Sequence, residues 1–182
     1  MRSAALAFLL VGIGIGFGVM YPVMKKKAPE IVKAEPVPFV PGPSAGAGGP
    51  PPPDPRRVAQ LQEAVKANPK DFDSLVELGF MAFDQQNYSE AAGWYAKALD
   101  VRPQDLEVRT DYGTALYNVG RTDDAITQFK KSLEANPTQA QALFNLAVVF
   151  MESKNDKKSA LEYFQKLIAA HPDFPQAAMV KQ

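Results

Sequence analysis

The chain has 182 residues, with 20 basic and 20 acidic side chains, one His and no Cys. That length holds one ordinary domain with sequence to spare, and the lack of Cys excludes disulfides, thiolate zinc sites, Cys nucleophiles and a lipidated N-terminal Cys. The zero net charge divides into +3 over the first 53 residues and −3 from Asp54 onward, 15 basic against 18 acidic groups, and a mildly acidic domain lacks the concentrated basic face that nucleic acid needs.

Residues 4–24, Ala4 to Met24, form a run of 21 without a charge. As a helix rising about 1.5 Å per residue, it matches the roughly 30 Å hydrocarbon core of a bilayer. Tyr21 stands at the interfacial end, and Lys25, Lys26 and Lys27 stop the insertion. The competing reading is a cleaved secretory signal. The run is long for that, and Met20 to Lys25 offers no small-x-small cleavage site. Residues 1–27 therefore read as a signal-anchor, a retained transmembrane helix. The pairs Gly12/Gly16 and Gly14/Gly18 have the small-xxx-small spacing that lets two membrane helices approach, although Gly is common in such helices anyway. Orientation cues conflict. Lys25–Lys27 and Lys33 outweigh Arg2 and favour a cytoplasmic domain, whereas a short tail with one Arg before the apolar run matches an uncleaved signal-anchor that exports the domain C-terminal to it.

Residues 28–55 hold ten of the 16 Pro, interspersed with Gly42, Gly46, Gly48 and Gly49. So little apolar surface cannot offset the entropy of ordering, and the segment reads as a disordered linker. Its reach is about 87 Å as polyproline II and roughly 30 Å as a flexible coil. Pro50–Pro53 would be its docking stretch for an aromatic-lined domain; a plain tether is the simpler reading.

Residues 56–182 repeat themselves. Pro69, Pro103, Pro137 and Pro172 are spaced by 34, 34 and 35 residues; Gly79, Gly113 and Ala147 by 34 and 34; Ala91, Ala125 and Ala160, like Tyr95, Phe129 and Phe164, by 34 and 35. The one extra residue falls between Ala147 and Ala160, in Ser153–Lys158, and insertions collect in loops. Apolar residues between the Pro markers recur at helical spacing (Leu75, Leu78, Ala82; Ala91, Tyr95, Ala98, Leu99). Each period is therefore two helices, with turns at Gln86-Asn87, Val119-Gly120 and Asn155-Asp156.

This pattern resembles the tetratricopeptide repeat family, in which repeat positions 8, 20 and 27 are small, positions near 11, 17 and 24 are aromatic and position 32 is Pro. Counting from Phe72, Gly79, Tyr88, Ala91, Tyr95, Ala98 and Pro103 match. Counting from Leu106, Gly113, Ala125, Phe129, Ser132 and Pro137 match, and from Ala140, Ala147, Ala160, Phe164 and Pro172, with Leu167 larger than expected at position 27. The resemblance implies an all-α solenoid of three repeats, about 72–105, 106–139 and 140–174. Val58, Leu61, Ala64 and Pro69 look like the second helix of a half-repeat, and Phe174 to Val180 like the start of a closing helix. Three repeats suffice to bury a continuous core.

No catalytic constellation appears. His171 precedes Pro172 in the slot of Asn68, Arg102 and Asn136 and reads as a turn residue near a helix C-terminus. The pairs Asp71/Asp73 and Asp123/Asp124 open helices, where acids stabilise the dipole. No Gly-rich phosphate loop or nucleophile elbow is present, and no metal or cofactor is expected. The chain reads as a non-enzyme.

The resemblance further implies a concave groove lined by the first helix of each repeat at positions 2, 5, 9, 12 and 13. These are Asp73, Val76, Phe80, Phe83 and Asp84, then Glu107, Thr110, Thr114, Tyr117 and Asn118, then Gln141, Phe144, Val148, Met151 and Glu152. The expected partner-binding floor is Val76, Phe80, Phe83, Thr110, Thr114, Tyr117, Phe144, Val148 and Met151. Its margin is Asp73, Asp84, Glu107 and Glu152. The basic and Asn residues with which the chaperone-adaptor branch clamps a C-terminal carboxylate are absent. Such a groove suits an amphipathic helix or extended apolar peptide with a basic flank. The whole is similar to anchored bacterial repeat proteins of the inner membrane that assist assembly of envelope or respiratory complexes, including helpers of c-type cytochrome maturation. The alternative is a self-assembling homo-oligomer at the membrane.

Overall fold

The computed structural model describes residues 52–175, so the expected anchor, most of the linker and the greater part of the expected closing helix lie outside the described residues. Among the described residues seven helices are arranged in the order α1 (Pro55–Ala67), α2 (Phe72–Asp84), α3 (Tyr88–Val101), α4 (Leu106–Asn118), α5 (Thr122–Ala135), α6 (Ala140–Glu152) and α7 (Lys157–Ala170). No helix among the described residues is long and apolar enough to cross a membrane.

The helix ends arise from a few recurring residues. Asp71, Asp105 and Asp156 accept backbone N–H bonds from Ser74, Val108 and Ser159, satisfying donors that a helix start leaves bare. At the other end, Asn68, Arg102, Asn136 and His171 are extended, with φ between −127° and −137°, as expected for a residue preceding Pro. Each donates its backbone N–H to a carbonyl four residues back, and the next residue, Pro, ends the helix. His171 also bonds the Thr138 carbonyl through Nε2, tying the end of α7 to the turn before α6.

Within each repeat the chain reverses through one left-handed residue: Gln86 (φ 60°), Gly120 (φ 82°) and Asn155 (φ 49°). The first two turns have three residues between helices and the third has four, Ser153 to Asp156. That is where the 35-residue spacing placed the insertion.

Packing is sequential. Each helix packs against the next, and α4 also touches α6 directly, so first helices crowd together on one side; α2 and α4 make no comparable contact. The close pairing inside a repeat depends on missing side chains. A Cβ on Gly79 would lie 2.6 Å from the Tyr95 ring, and one on Gly113 2.6 Å from the Phe129 ring. In the third repeat Ala147 stands in that place and both it and Phe164 are buried. The Leu at position 27 is accommodated too, since Leu167 is fully buried. The half-repeat α1 is fastened to α2 through Arg57, whose Nε and terminal nitrogen reach the two Glu77 oxygens at 2.7 and 2.5 Å.

Candidate functional site

The first helices α2, α4 and α6 carry the expected groove, but they contribute unequally. On α2, Phe80 is 40% exposed, one of three large apolar side chains left open among the described residues. Val76 and Phe83 are partly buried against the core, and Phe83 makes an edge contact with Tyr88 at 5.0 Å. Asp73 is exposed and loosely paired with Arg102 at 3.8 Å. Arg102 itself lies over the Phe72 ring at 3.9 Å.

On α4, Thr110 and Thr114 are each 1% exposed and do not line an open surface. This corrects the expectation for both. The reason is the direct α4–α6 contact, into which both hydroxyls are folded. Thr110 Oγ1 donates to the Leu106 carbonyl at 2.8 Å and lies 3.3 Å from Ser132 Oγ and from Gln139 Oε1. Thr114 Oγ1 donates to the Thr110 carbonyl and accepts from Asn145 Nδ2 at 3.2 Å. Gln139, which occupies the cap position filled by Asp71 and Asp105 elsewhere, caps nothing with its side chain. It reaches back from the start of α6 to the start of α4, donating from Nε2 to the Leu106 carbonyl. Tyr117 remains at the surface edge: its hydroxyl accepts from Ser153 at 3.0 Å and donates to Glu152 at 3.3 Å. Glu107 is exposed.

On α6, Ala142 to Val149 are all buried, so Phe144 (1% exposed) and Val148 (2%) are core residues, not groove residues. The chain just beyond α7 covers their positions in the repeat. Phe174 lies 5.9 Å from the Phe144 ring, and Phe164 meets the same ring edge-on at 6.0 Å. Met151 packs partly against that cluster, and Glu152 is exposed. What stays open of the expected face is thus mainly on α2, where Phe80 is exposed with Val76 and Phe83 one turn to either side, and at the exposed acids Asp73, Glu107 and Glu152 of its margin.

One residue of the first helices escaped the sequence reading. Asp111, at position 6 of the second repeat, is mostly buried, and that burial, helped by the neighbouring Glu107 and Asp105 carboxylates, pushes its carboxyl up to about 7. Burial likewise raises Asp84. Both carboxylates act on Tyr95 of α3, whose hydroxyl is driven well above its ordinary value first by burial, then by Asp111 and Asp84. None of the ion pairs among the described residues involves Asp84, Glu107 or Asp111. An Asp in the middle of a helix, one turn after Glu107 and one before Thr114, was the available signal. Asn145, the same position one repeat later, is fully buried with its Oδ1 lacking a donor.

No group of three or more His, Asp or Glu side chains among the described residues is placed to hold a metal ion. What this geometry offers is an aromatic and acidic surface on the first helices.

Comparison with known proteins agrees with the architecture. Over 97 residues the chain is 36% identical to a probable UDP-N-acetylglucosamine--peptide N-acetylglucosaminyltransferase SPINDLY of Hordeum vulgare. That covers 50% of this chain but 10% of the barley protein. Among solved structures, YrrB, described as a TPR protein with an unusual peptide-binding site, superposes with a TM-score of 0.63 at 27% identity, covering 68% of this chain and 63% of YrrB. MamA superposes equally well, TM-score 0.63 at 22% identity, over 68% of this chain and 71% of its own; at that identity the likeness concerns the fold alone. The tetratricopeptide repeat model matches residues 58–105 and 111–178, a span that takes in most of the helices described above, with small residues where the paired helices touch and Pro where each second helix stops. The chain belongs to the tetratricopeptide repeat family.

Proposed function

We propose that this protein is a membrane-tethered adaptor that holds a segment of another polypeptide against its first-helix face, where α2 leaves that face open, and so assists assembly of a membrane or envelope complex. The observation that carries the binding reading is Phe80, a large apolar side chain 40% exposed on the face its family uses for ligands, with partly buried apolar neighbours and acids beside it. Such an arrangement of an aromatic anchor within a polar rim is what concentrates binding energy at interfaces. The repeat fold, shared with a structure described as peptide-binding, supports binding over catalysis. Tethering rests on the uncharged run of residues 4–24 and the Pro-rich spacer after it; Lys25–Lys27 favour the cytoplasmic side.

A photo-crosslinking amino acid placed at Phe80, and separately at Lys131 on the second-helix side, tests this in native membranes. The reading expects a discrete adduct with a different polypeptide from position 80 and none from position 131. Adducts between two copies of this chain would replace the adaptor with a self-assembling protein. Adducts from position 131 alone would move the binding surface to the other face.

A further inference from the structure

We propose that the cleft between α5 and α7 docks the chain's own spacer, taking Phe39 on its apolar floor and Glu35 beside Lys130 and Lys166. The contact is independent of the α2 face and goes beyond the binding function proposed above.

The cleft follows from the packing. Helices α5 and α7 each pack on α6 but make no comparable contact with each other, and between them lies a cleft of about 330 Å³. Leu133, Pro137, Leu143 and Tyr163 give it an apolar lining. Leu133 and Tyr163 are only partly buried, at the seam where the two core clusters meet, and the Phe150 ring stacks on Tyr163 at 5.6 Å. Lys130 lines the cleft from α5 and Lys166 from α7. Their ammonium groups lie 6.0 Å from the Phe150 ring and 5.3 Å from the Tyr163 ring. Neither lysine belongs to an ion pair among the described residues. Two exposed cations therefore flank an apolar recess at the small end of the about 300–1,000 Å³ typical of ligand pockets. It has room for one or two side chains, not for a helix.

The occupant follows from the sequence. Residues 28–51, outside the described residues, hold one aromatic side chain, Phe39, in the stretch Glu35-Pro36-Val37-Pro38-Phe39-Val40. A plain tether has no use for these apolar residues. Glu30 and Glu35 are the only acids before Asp54. The signs are complementary twice over: Glu35 against Lys130 and Lys166, and Lys33 against Glu134, the one acid lining the cleft. Pro36 and Pro38 restrict the backbone beforehand, which lowers the entropy lost on docking to an aromatic-lined groove. The reach is sufficient. Fifteen residues from Phe39 to Asp54 extend at most about 50 Å, while the start of α1 is about three helix diameters and one helix length from the cleft, roughly 35–40 Å. A segment tethered so closely has an effective concentration on the order of millimolar, so a weak contact suffices. If the uncharged run anchors the chain, docking leaves only residues 28–34 between Lys27 and Glu35, at most about 25 Å, in place of the whole spacer.

The chain has no Cys, so two introduced thiols take spin labels without background. The full chain in uncharged detergent micelles is labelled at Ser44→Cys and Ala170→Cys, the latter an exposed position one turn beyond Lys166, and the label separation is measured by double electron–electron resonance. The expected result is a narrow distribution at about 25 Å or less, replaced in Phe39→Ala by a broad one centred near about 35–40 Å. Phe39 lies outside the seven helices, so that loss cannot come from unfolding. Lys166→Glu and Glu35→Lys each broaden the distribution, and the two together recover part of the short distance. A broad distribution in wild type, or a short one indifferent to Phe39→Ala, overturns the proposal. A short distance that disappears on dilution with unlabelled chain gives the cleft to a second copy's spacer and overturns it too. None of these outcomes involves Phe80, so the fate of the α2 face is decided separately.

Discussion

Gly113 and Gly93 are both helical glycines, and they should respond to the same substitution with opposite signs. A methyl group at Gly113 would meet the fully buried Phe129 ring at 2.6 Å, whereas at Gly93 nothing lies within 4 Å. The Phe129 ring has no solvent to swing into, so Gly113→Ala is expected to destabilise by about 1–3 kcal/mol through overpacking. Gly93→Ala, in the exposed interior of α3, should stabilise by about 0.5–1 kcal/mol because it restricts the unfolded chain. Urea unfolding of the two variants beside wild type measures both; a stabilising Gly113→Ala would mean the repeat register is misplaced. Asp111 offers a second contrast. Its carboxyl is raised in the folded state to about 7 from an ordinary value of 3.8, so between those values the folded protein binds a proton that the unfolded chain has lost. Stability from this group is therefore greatest below about pH 4 and is lost as pH rises to 7. Asp111→Asn should flatten that slope relative to wild type and, at mildly alkaline pH, raise stability by about 1–3 kcal/mol. Thermal unfolding of the pair across the pH range checks it, and a variant less stable than wild type at alkaline pH would count against an unpaired buried charge.

At the scale of the element, helix starts and stops are written in single residues, and that is why they could be read from the sequence. Asp71→Ala should cost about 1 kcal/mol, since it removes both the backbone cap to Ser74 and the 2.8 Å bond to its hydroxyl. Substituting Gln139, the equivalent residue before α6, should act differently: its side chain caps nothing and instead ties the start of α6 to α4 through Leu106 and Thr110. The 34-residue spacing of Pro, Gly and aromatic residues fixed the helix pairs because each marks a steric requirement that recurs in every repeat. The groove was less legible. Phe144 and Val148 carry the same repeat positions as Val76 and Phe80, yet they are buried because Phe174 and α7 close over α6. Position within a repeat says which way a side chain points, not what lies on top of it. Thr110 and Thr114 failed for the related reason that α6 sits against them. Asp111 was missed because burial is set by tertiary packing, with Tyr95 of α3 near enough to feel its charge, which no local pattern records.

Across the whole molecule, each repeat buries its apolar face only against its neighbours, so stability accumulates along the stack. Residues 54–182, which contain the seven helices and omit the apolar run and linker, should fold alone with strongly helical circular dichroism and one cooperative melt. A coil-like spectrum would mean the N-terminal segments complete the core. The same stacking explains why the first-helix face is covered at α6 and open at α2: α6 packs against α4, α5 and α7, whereas α2 keeps Phe80 uncovered. The central claim is that this open stretch binds another polypeptide. The most direct measurement is recovery of the crosslinked partner from membranes carrying Phe80→Ala or, as a control on the second-helix side, Lys130→Ala, with helical content measured for both. The account expects Lys130→Ala to recover the partner as wild type does and Phe80→Ala to lose most of it, a loss of about 2 kcal/mol or roughly 30-fold in affinity, with both variants fully helical. Equal recovery by the two folded variants would contradict it.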